Sequence, residues 1–301
     1  MAGSAPVTRY RRCMLIAVAL VPGTVLLVPG AGGRDEDELA AVRDAAAAAI
    51  GTMFRSGVDR VVVVAPGRVD RHLATGWRAG LGEVGIADDQ VRWPLPARSA
   101  PASSAGRGPG DVPVAGTSGA PGTRGTETGV DVVTVSAVAS AVLTMTEQLS
   151  PARWAGALEV LEVREPRPGA RPVASRVEEL RAQGRALARA DRGESLGLVV
   201  AGSLSARNGP EAPLAADDRA PGADRDVAEL LVDGGREARR RLGDLDPDVA
   251  GDLGMSGWAP WQVLVGACHQ VDGVEVDDVA RIRSLGVVHV AASWRCTEAR
   301  S

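Results

Sequence analysis

The sequence predicts an α/β protein in which a central, largely parallel or mixed sheet is flanked by helices within a single domain. Three observations predict it. Short runs rich in Val, Leu and Ala, such as "VDRVVVVAPG" (58–67) and "SLGLVVAGSLS" (195–205), read as strands buried on both faces. Between such runs, apolar residues recur at spacings of three and four, which marks amphipathic helices. The two kinds of segment alternate along the chain, the pattern of an α/β protein. The 301 residues allow one large domain or two small ones, and a 45 % hydrophobic content supplies a sizeable core. With aromatics at only 3 %, that core is built mostly from aliphatic side chains.

The first element is the most ambiguous. "MLIAVALVPGTVLLVPGAGG" (14–33) follows "RYRRC" and has the basic and apolar regions of a secretion signal. A membrane helix needs about 20 apolar residues without strong breaks. Pro22-Gly23 and Pro29-Gly30 interrupt this run, and a proline inside a helix costs about 3 kcal/mol. What remains is two bursts, 15–21 and 25–28, separated by a turn signal, so a buried strand and then a loop are expected. The next stretch, "RDEDELAAVRDAAAAAIGTMF", places four acids where a helix dipole favours them, with Leu39, Val42, Ala46, Ile50 and Met53 on one stripe. Strand 58–67 then completes a βαβ unit, which needs its first strand inside the protein.

Residues 97–129 are almost all Ala, Gly, Ser, Pro and Thr, a composition that cannot bury enough apolar area to order itself, so a disordered insert is expected there. Stretch 130–149 is apolar and fits either a strand or a helix. "ALEVLEV" (157–163) reads as a strand. Helices follow at 174–191, with Val177, Leu180, Leu187 and Ala188 inward, and at 224–245, with Val227, Leu230, Leu231 and Ala238 inward and Asp224 as cap. A buried helix over 259–270 and a strand over 285–294 end the series. The expected organisation is a flexible tail at 1–12, with Met14 a second start, one domain formed by 13–96 and 130–296, and a short tail at 297–301.

Composition narrows the function. The net charge is −4, there is no Lys, and acids and bases interleave. Nucleic-acid binding calls for a clustered basic face. "REARRRLGD" (236–244) is the one dense basic run, and it reads as a solvated helix face. No nucleic-acid or membrane partner is expected. Three cysteines, Cys13, Cys268 and Cys296, fit neither a disulfide framework nor a zinc ribbon and read as idle thiols in a cytoplasmic protein.

Candidate chemistry is sparse. In open α/β sheets the ligand crevice lies beyond the carboxyl ends of the strands, which brings forward Pro22-Gly23, Pro66-Gly67 and the loop 202–208. "GAGGRDEDE" (30–38) has glycines for a phosphate loop, but the acids that follow would repel phosphate. Ser203 in "AGSLS" is a degenerate nucleophile elbow, with His289 and later Asp residues as partners for a serine hydrolase, although the helix it needs is replaced by "ARNGPEAP". His289 itself reads as a core histidine. Asp70 with His72, and His269 with Glu275, Asp277 and Asp278, are weak metal clusters that read more simply as solvated surface.

Taken together, "LLVPG", the loop "GSLSARNGPEAP" and "APWQVLVGA" make the chain resemble the subunit-B-like domain of class III extradiol ring-cleavage dioxygenases, in particular an actinobacterial branch, over most of its length outside the tail and insert. The resemblance implies an α/β fold that holds Fe(II) through two His and one Glu, uses a further His as acid/base, and opens catechol-type rings with dioxygen. The corresponding positions here are Pro22-Gly23, Pro66-Gly67, Ser205-Ala206 and the stretch Gly257-Trp258-Ala259-Pro260 ahead of Trp261. None carries an imidazole or a carboxylate, and glycine and alanine neither ligate iron nor move protons. A non-catalytic or re-purposed relative is therefore expected, without a cofactor unless Fe(II) chemistry survives. Its small aromatic or acidic ligand would lie against Pro22, Gly23, Gly67, Ser203, Ser205, Arg207 and Asn208, with Arg207 pairing the acid. The alternatives are an active ring-opening dioxygenase with non-standard ligands and a hydrolase using Ser203.

Overall fold

The computed structural model describes residues 14–33, 36–99, 132–165, 173–189 and 193–298. Among them a seven-stranded mixed sheet runs in the order β3-β7-β2-β8-β1-β10-β9. Its parallel heart is β1 (Met14–Val21), β2 (Arg60–Gly67), β7 (Ala157–Arg164) and β8 (Ser195–Ala201). Antiparallel strands close both sides: β3 (Arg71–Leu73) pairs with β7, and the hairpin β9 (Val271–Ser284) and β10 (Val287–Glu298) pairs with β1. The opening apolar segment is thus an interior strand, hydrogen-bonded to β8 on one side and β10 on the other. No helix among the described residues is long and apolar enough to cross a membrane.

Alternation along each strand feeds two cores. One face packs against α1 (Ala40–Arg55) and α2 (Ala137–Leu149) through Ala17, Ala19, Val61, Val63 and Val199. The other packs against α3 (Val173–Ala188), α4 (Ala220–Asp233), α5 (Arg236–Gly243), the short α6 (Pro247–Asp252) and α7 (Trp258–Ala267) through Leu15, Val18, Val62, Leu198 and Trp294. The result is a three-layer sandwich of helices, sheet and helices. All five residues expected on the α1 stripe, and those expected inward on α3, are buried or partly buried. The ambiguous stretch 130–149 resolves into a short strand, β6 (Val133–Thr134), and α2.

Several boundaries differ from expectation. The acids before α1 do not form its first turn: Glu36 turns back to accept the Gly30 and Gly32 amides at 2.8 and 3.1 Å and to pair with Arg43. The helix expected over 224–245 is two helices, because Gly234 adopts φ 61° at the end of α4. That left-handed conformation closes a helix and suits glycine. Asp224 is no cap but a buried residue inside α4. Strand β9 was not foreseen, and β10 reaches Glu298, past the start of the expected tail. Part of the expected insert is also ordered: β5 (Ala97–Arg98) pairs with β4 (Trp77–Arg78), which pairs with β6 to form a small second sheet. The expected tail 1–12, Cys13 and residues 100–129 of the insert lie outside the described residues.

Candidate functional site

Strands β1, β2, β7 and β8 end at the same edge of the sheet, so the Pro22-Gly23 and Gly202-Ser203 turns share one rim with Pro66-Gly67, which is not the turn expected after β2 but its last two residues, paired with Val163 and Arg164 of β7. Two of them are in contact. The Gly202 amide donates to the Val21 carbonyl at 3.1 Å and the Ser203 hydroxyl donates to the Gly23 carbonyl at 3.1 Å. The backbones approach so closely that a side chain at Gly23 would be tight and one at Gly202 would force a shift. A Cβ at Gly23 would stand 3.1 Å from the Gly202 backbone, and one at Gly202 would stand 2.6 Å from the Gly257 Cα. Gly67, at the end of β2, meets the Cβ of Glu162 at 2.8 Å in the same way. Pro22, Gly23 and Ser203 are therefore brought together, and the space between them is filled by main chain.

Ser205, Arg207 and Asn208 fasten their own loop instead of lining a hollow. The Ser205 hydroxyl donates to the Leu253 carbonyl, while its amide and the Asn208 side-chain amide both donate to Asp224 at 2.7 and 2.6 Å. Burial pushes the Asp224 carboxyl up, and these donors pull it partly back. The Arg207 guanidinium, expected to pair an acidic ligand, donates to the carbonyls of Asp252 and Ala215 at 2.7 and 2.9 Å. Ser203 has a carbonyl, not an imidazole, as its hydroxyl partner. His289 is buried in β10, with Nδ1 unpartnered and its basicity lowered by burial.

The weak metal clusters separate. Asp70 pairs with Arg176 at 2.6 Å and accepts the Arg164 amide, whereas His72 turns to Glu159. Glu275 and Asp277 both pair with Arg295 at 2.8 Å, and Asp278 accepts from Ser293 and Thr52. No group of three or more His, Cys, Asp or Glu among the described residues is placed to hold a metal ion. Cys268 and Cys296 are free, buried and hydrogen-bonded to each other, which together with burial raises the Cys296 thiol well above its usual range.

At the carboxyl end of β7 lies a group that the sequence reading missed. Burial pushes the Glu165 carboxyl up to about 8, against the amide of Ala259 in the first turn of α7 and the charge of Arg176. One of its oxygens is buried without a partner. At neutral pH this is a largely protonated acid sitting at a helix N-terminus.

One open volume among the described residues lies along β7 on its α3 side, and another of about 430 Å³ lies between the C-terminal end of α1 and β10, beside Thr52, Arg55 and Arg295. A cavity of about 420 Å³ is lined by Arg60, Asp70, Arg71, His72, Leu161, Gln183, Ala186 and Leu187. That is large enough for a small organic molecule. Its charged floor follows from the strand register. Arg60 opens β2 and Glu159 stands on neighbouring β7, on the same face, so the guanidinium takes the carboxylate in a fork at 2.8 and 2.9 Å. On the other side of β7, His72 is opposite Leu161 and reaches Glu159 with Nε2 at 2.7 Å. Burial alone would raise the Glu159 carboxyl, but the hydrogen bonds and charges of His72 and Arg60 outweigh it and hold the group at about 2. Arg71 is likewise tied to buried Glu162. The signal in the sequence was the pair Glu159 and Glu162 within an otherwise apolar strand, since a buried carboxylate requires a partner. No protein-family model matches the chain, and no curated protein matches it.

Proposed function

We propose that this chain is a re-purposed relative of the extradiol dioxygenase subunit-B-like fold, one that binds a small molecule and does not cleave aromatic rings. The ligand is assigned to the cavity along β7. The observation that carries this reading is the contrast between two regions. The rim that would hold iron in such an enzyme is packed main chain against main chain at Gly23, Gly202 and Gly257, with no imidazole there, while the cavity beside His72 stays open. The residues at the rim do not fit Fe(II), which requires His and carboxylate donors with free positions. The net charge of −4 and the interleaved charges accord with a ligand that is not nucleic acid, and the free thiols of Cys268 and Cys296 accord with the reducing cytoplasm.

Elemental analysis of the purified protein and a thermal-shift screen of small aromatic and aliphatic compounds test the proposal. The expected results are sub-stoichiometric iron and stabilisation by at least one compound, since a ligand at a hundred times its Kd adds about 2.7 kcal/mol. Ala186→Trp, an exposed change at the cavity wall, is expected to abolish that stabilisation. One iron per chain bound at the β1–β8 rim, or a screen with no stabilising compound, overturns the reading.

A further inference from the structure

We propose that Cys268 and Cys296 are a site of oxidation, at which a peroxide closes a disulfide between the end of α7 and β10. The proposal is independent of the ligand reading above, since it concerns another part of the molecule.

The path of the chain brings the two thiols together. Cys268 ends α7 and opens the short turn Cys268–Gln270, from which β9 starts at Val271. Val271 is opposite Glu298 and Val274 is opposite Cys296, so the turn folds back onto the last residues of β10. Both side chains enter the core that α7 shares with the sheet, and the two thiols share a hydrogen bond. Disulfide closure requires two cysteines whose side chains point at one another, and these do.

Two features of the surroundings act against the inertness of a buried thiol. Arg239 is buried beside the pair, donates to the Gly234 and Val271 carbonyls at 2.8 and 2.7 Å, and has no carboxylate partner among the described residues. Its charge favours the thiolate, the form that attacks. It thereby opposes the hydrogen bond from Cys268 and the burial that raise the Cys296 thiol. Cys296 also borders the hollow of about 430 Å³ beside the end of α1, through which a molecule as small as hydrogen peroxide reaches a residue only 7 % exposed. The step balances. The Cys296 sulfur attacks one peroxide oxygen, the O–O bond breaks, and a sulfenic acid and a water form. The Cys268 sulfur then attacks the Cys296 sulfur, the S–O bond breaks, and a second water leaves. The two thiol protons end in the waters, and two electrons have passed from sulfur to the peroxide.

Peptide mapping of the full-length protein after treatment with hydrogen peroxide tests the pairing. The chain has no Lys, so trypsin cuts after Arg241, Arg281, Arg295 and Arg300 and leaves the two cysteines on separate peptides, 242–281 and 296–300, with Cys13 on a third. The expected product, formed without denaturant, is 242–281 joined to 296–300 with the loss of two hydrogens. Dithiothreitol should reverse it, and Cys13→Ser should leave it unchanged. The bridged protein is expected to melt higher than the reduced one, because the link restricts the unfolded chain. In Cys268→Ser the reaction should stop at a Cys296 sulfenic acid, which dimedone traps. A native protein that forms no link, that links Cys13 instead, or that forms this link only in guanidinium overturns the proposal, and so does a bridged form that melts no higher. The map and the melting curve are read on unaltered protein, so the proposal stands or falls without any variant.

Discussion

Glu165 and Glu159 are six residues apart on and just beyond one strand, and their carboxyls are pushed in opposite directions. For Glu165 the folded state prefers the proton, so its contribution to stability is complete below the ordinary carboxyl range near 4.5 and is lost as pH rises toward about 8. For Glu159 the folded state prefers the charge, so its contribution is present above about 4.5 and is lost as pH falls toward about 2. Melting temperature is therefore expected to fall between pH 5 and 8, and Glu165→Gln should flatten that limb while leaving the acid limb intact. An unchanged slope in the variant would reject the assignment. The sequence makes the buried carboxylates visible, since Glu159 and Glu162 interrupt an apolar strand. It hides their partners, because Arg60 and His72 lie 99 and 87 residues away and reach Glu159 only through strand order.

Elements that bury a continuous stripe were readable, and those that turn on one backbone angle or carry an exposed face were not. The stripe on α1 and the apolar runs of β1, β2 and β8 declare themselves because packing demands them. Helices α4 and α5 keep inward residues on both sides of Gly234, so only the left-handed angle of that glycine, packed against Trp294, separates them. Strand β9 is at the sheet edge and alternates acids with small apolar residues, so its pattern imitates a loop. The candidate rim was legible as turns at Pro22-Gly23 and Gly202-Ser203 but not at Pro66-Gly67, which stays in β2, and its closure was not legible, because closure depends on how β8 meets α7. Gly202→Ala tests that meeting. The added methyl would press on the Gly257 Cα and the Trp261 ring, an overpacking expected to cost about 1–3 kcal/mol. Gly222→Ala, where nothing lies within 4 Å, should be harmless or slightly stabilising in denaturant unfolding. Equal effects at the two sites would contradict the packing described.

Across the whole molecule, the small sheet decides how the long Ala/Gly/Ser/Pro stretch is attached. Arg98 and Val133 both stand beside Trp77, one on each side of β4. Two ladder spacings put them about 10 Å apart. A linker of about six Gly and Ser residues spans that gap with slack. Replacing 100–131 by such a linker is expected to leave the melting temperature within about 2 °C, a shift worth no more than about 1 kcal/mol. A large loss would mean that the stretch supports the domain. The contact at Gly23, Gly202 and Gly257 has a consequence of another kind, for inheritance. Each of the three occupies room that its neighbour would need in order to grow, and a side chain at Gly257 would in turn strike Trp261. Single substitutions at Gly202 and Gly257 therefore meet a steric veto. A reactive side chain at either of those two glycines would have to be accompanied by a change in its neighbour, a demand that the hollow beside His72 does not make.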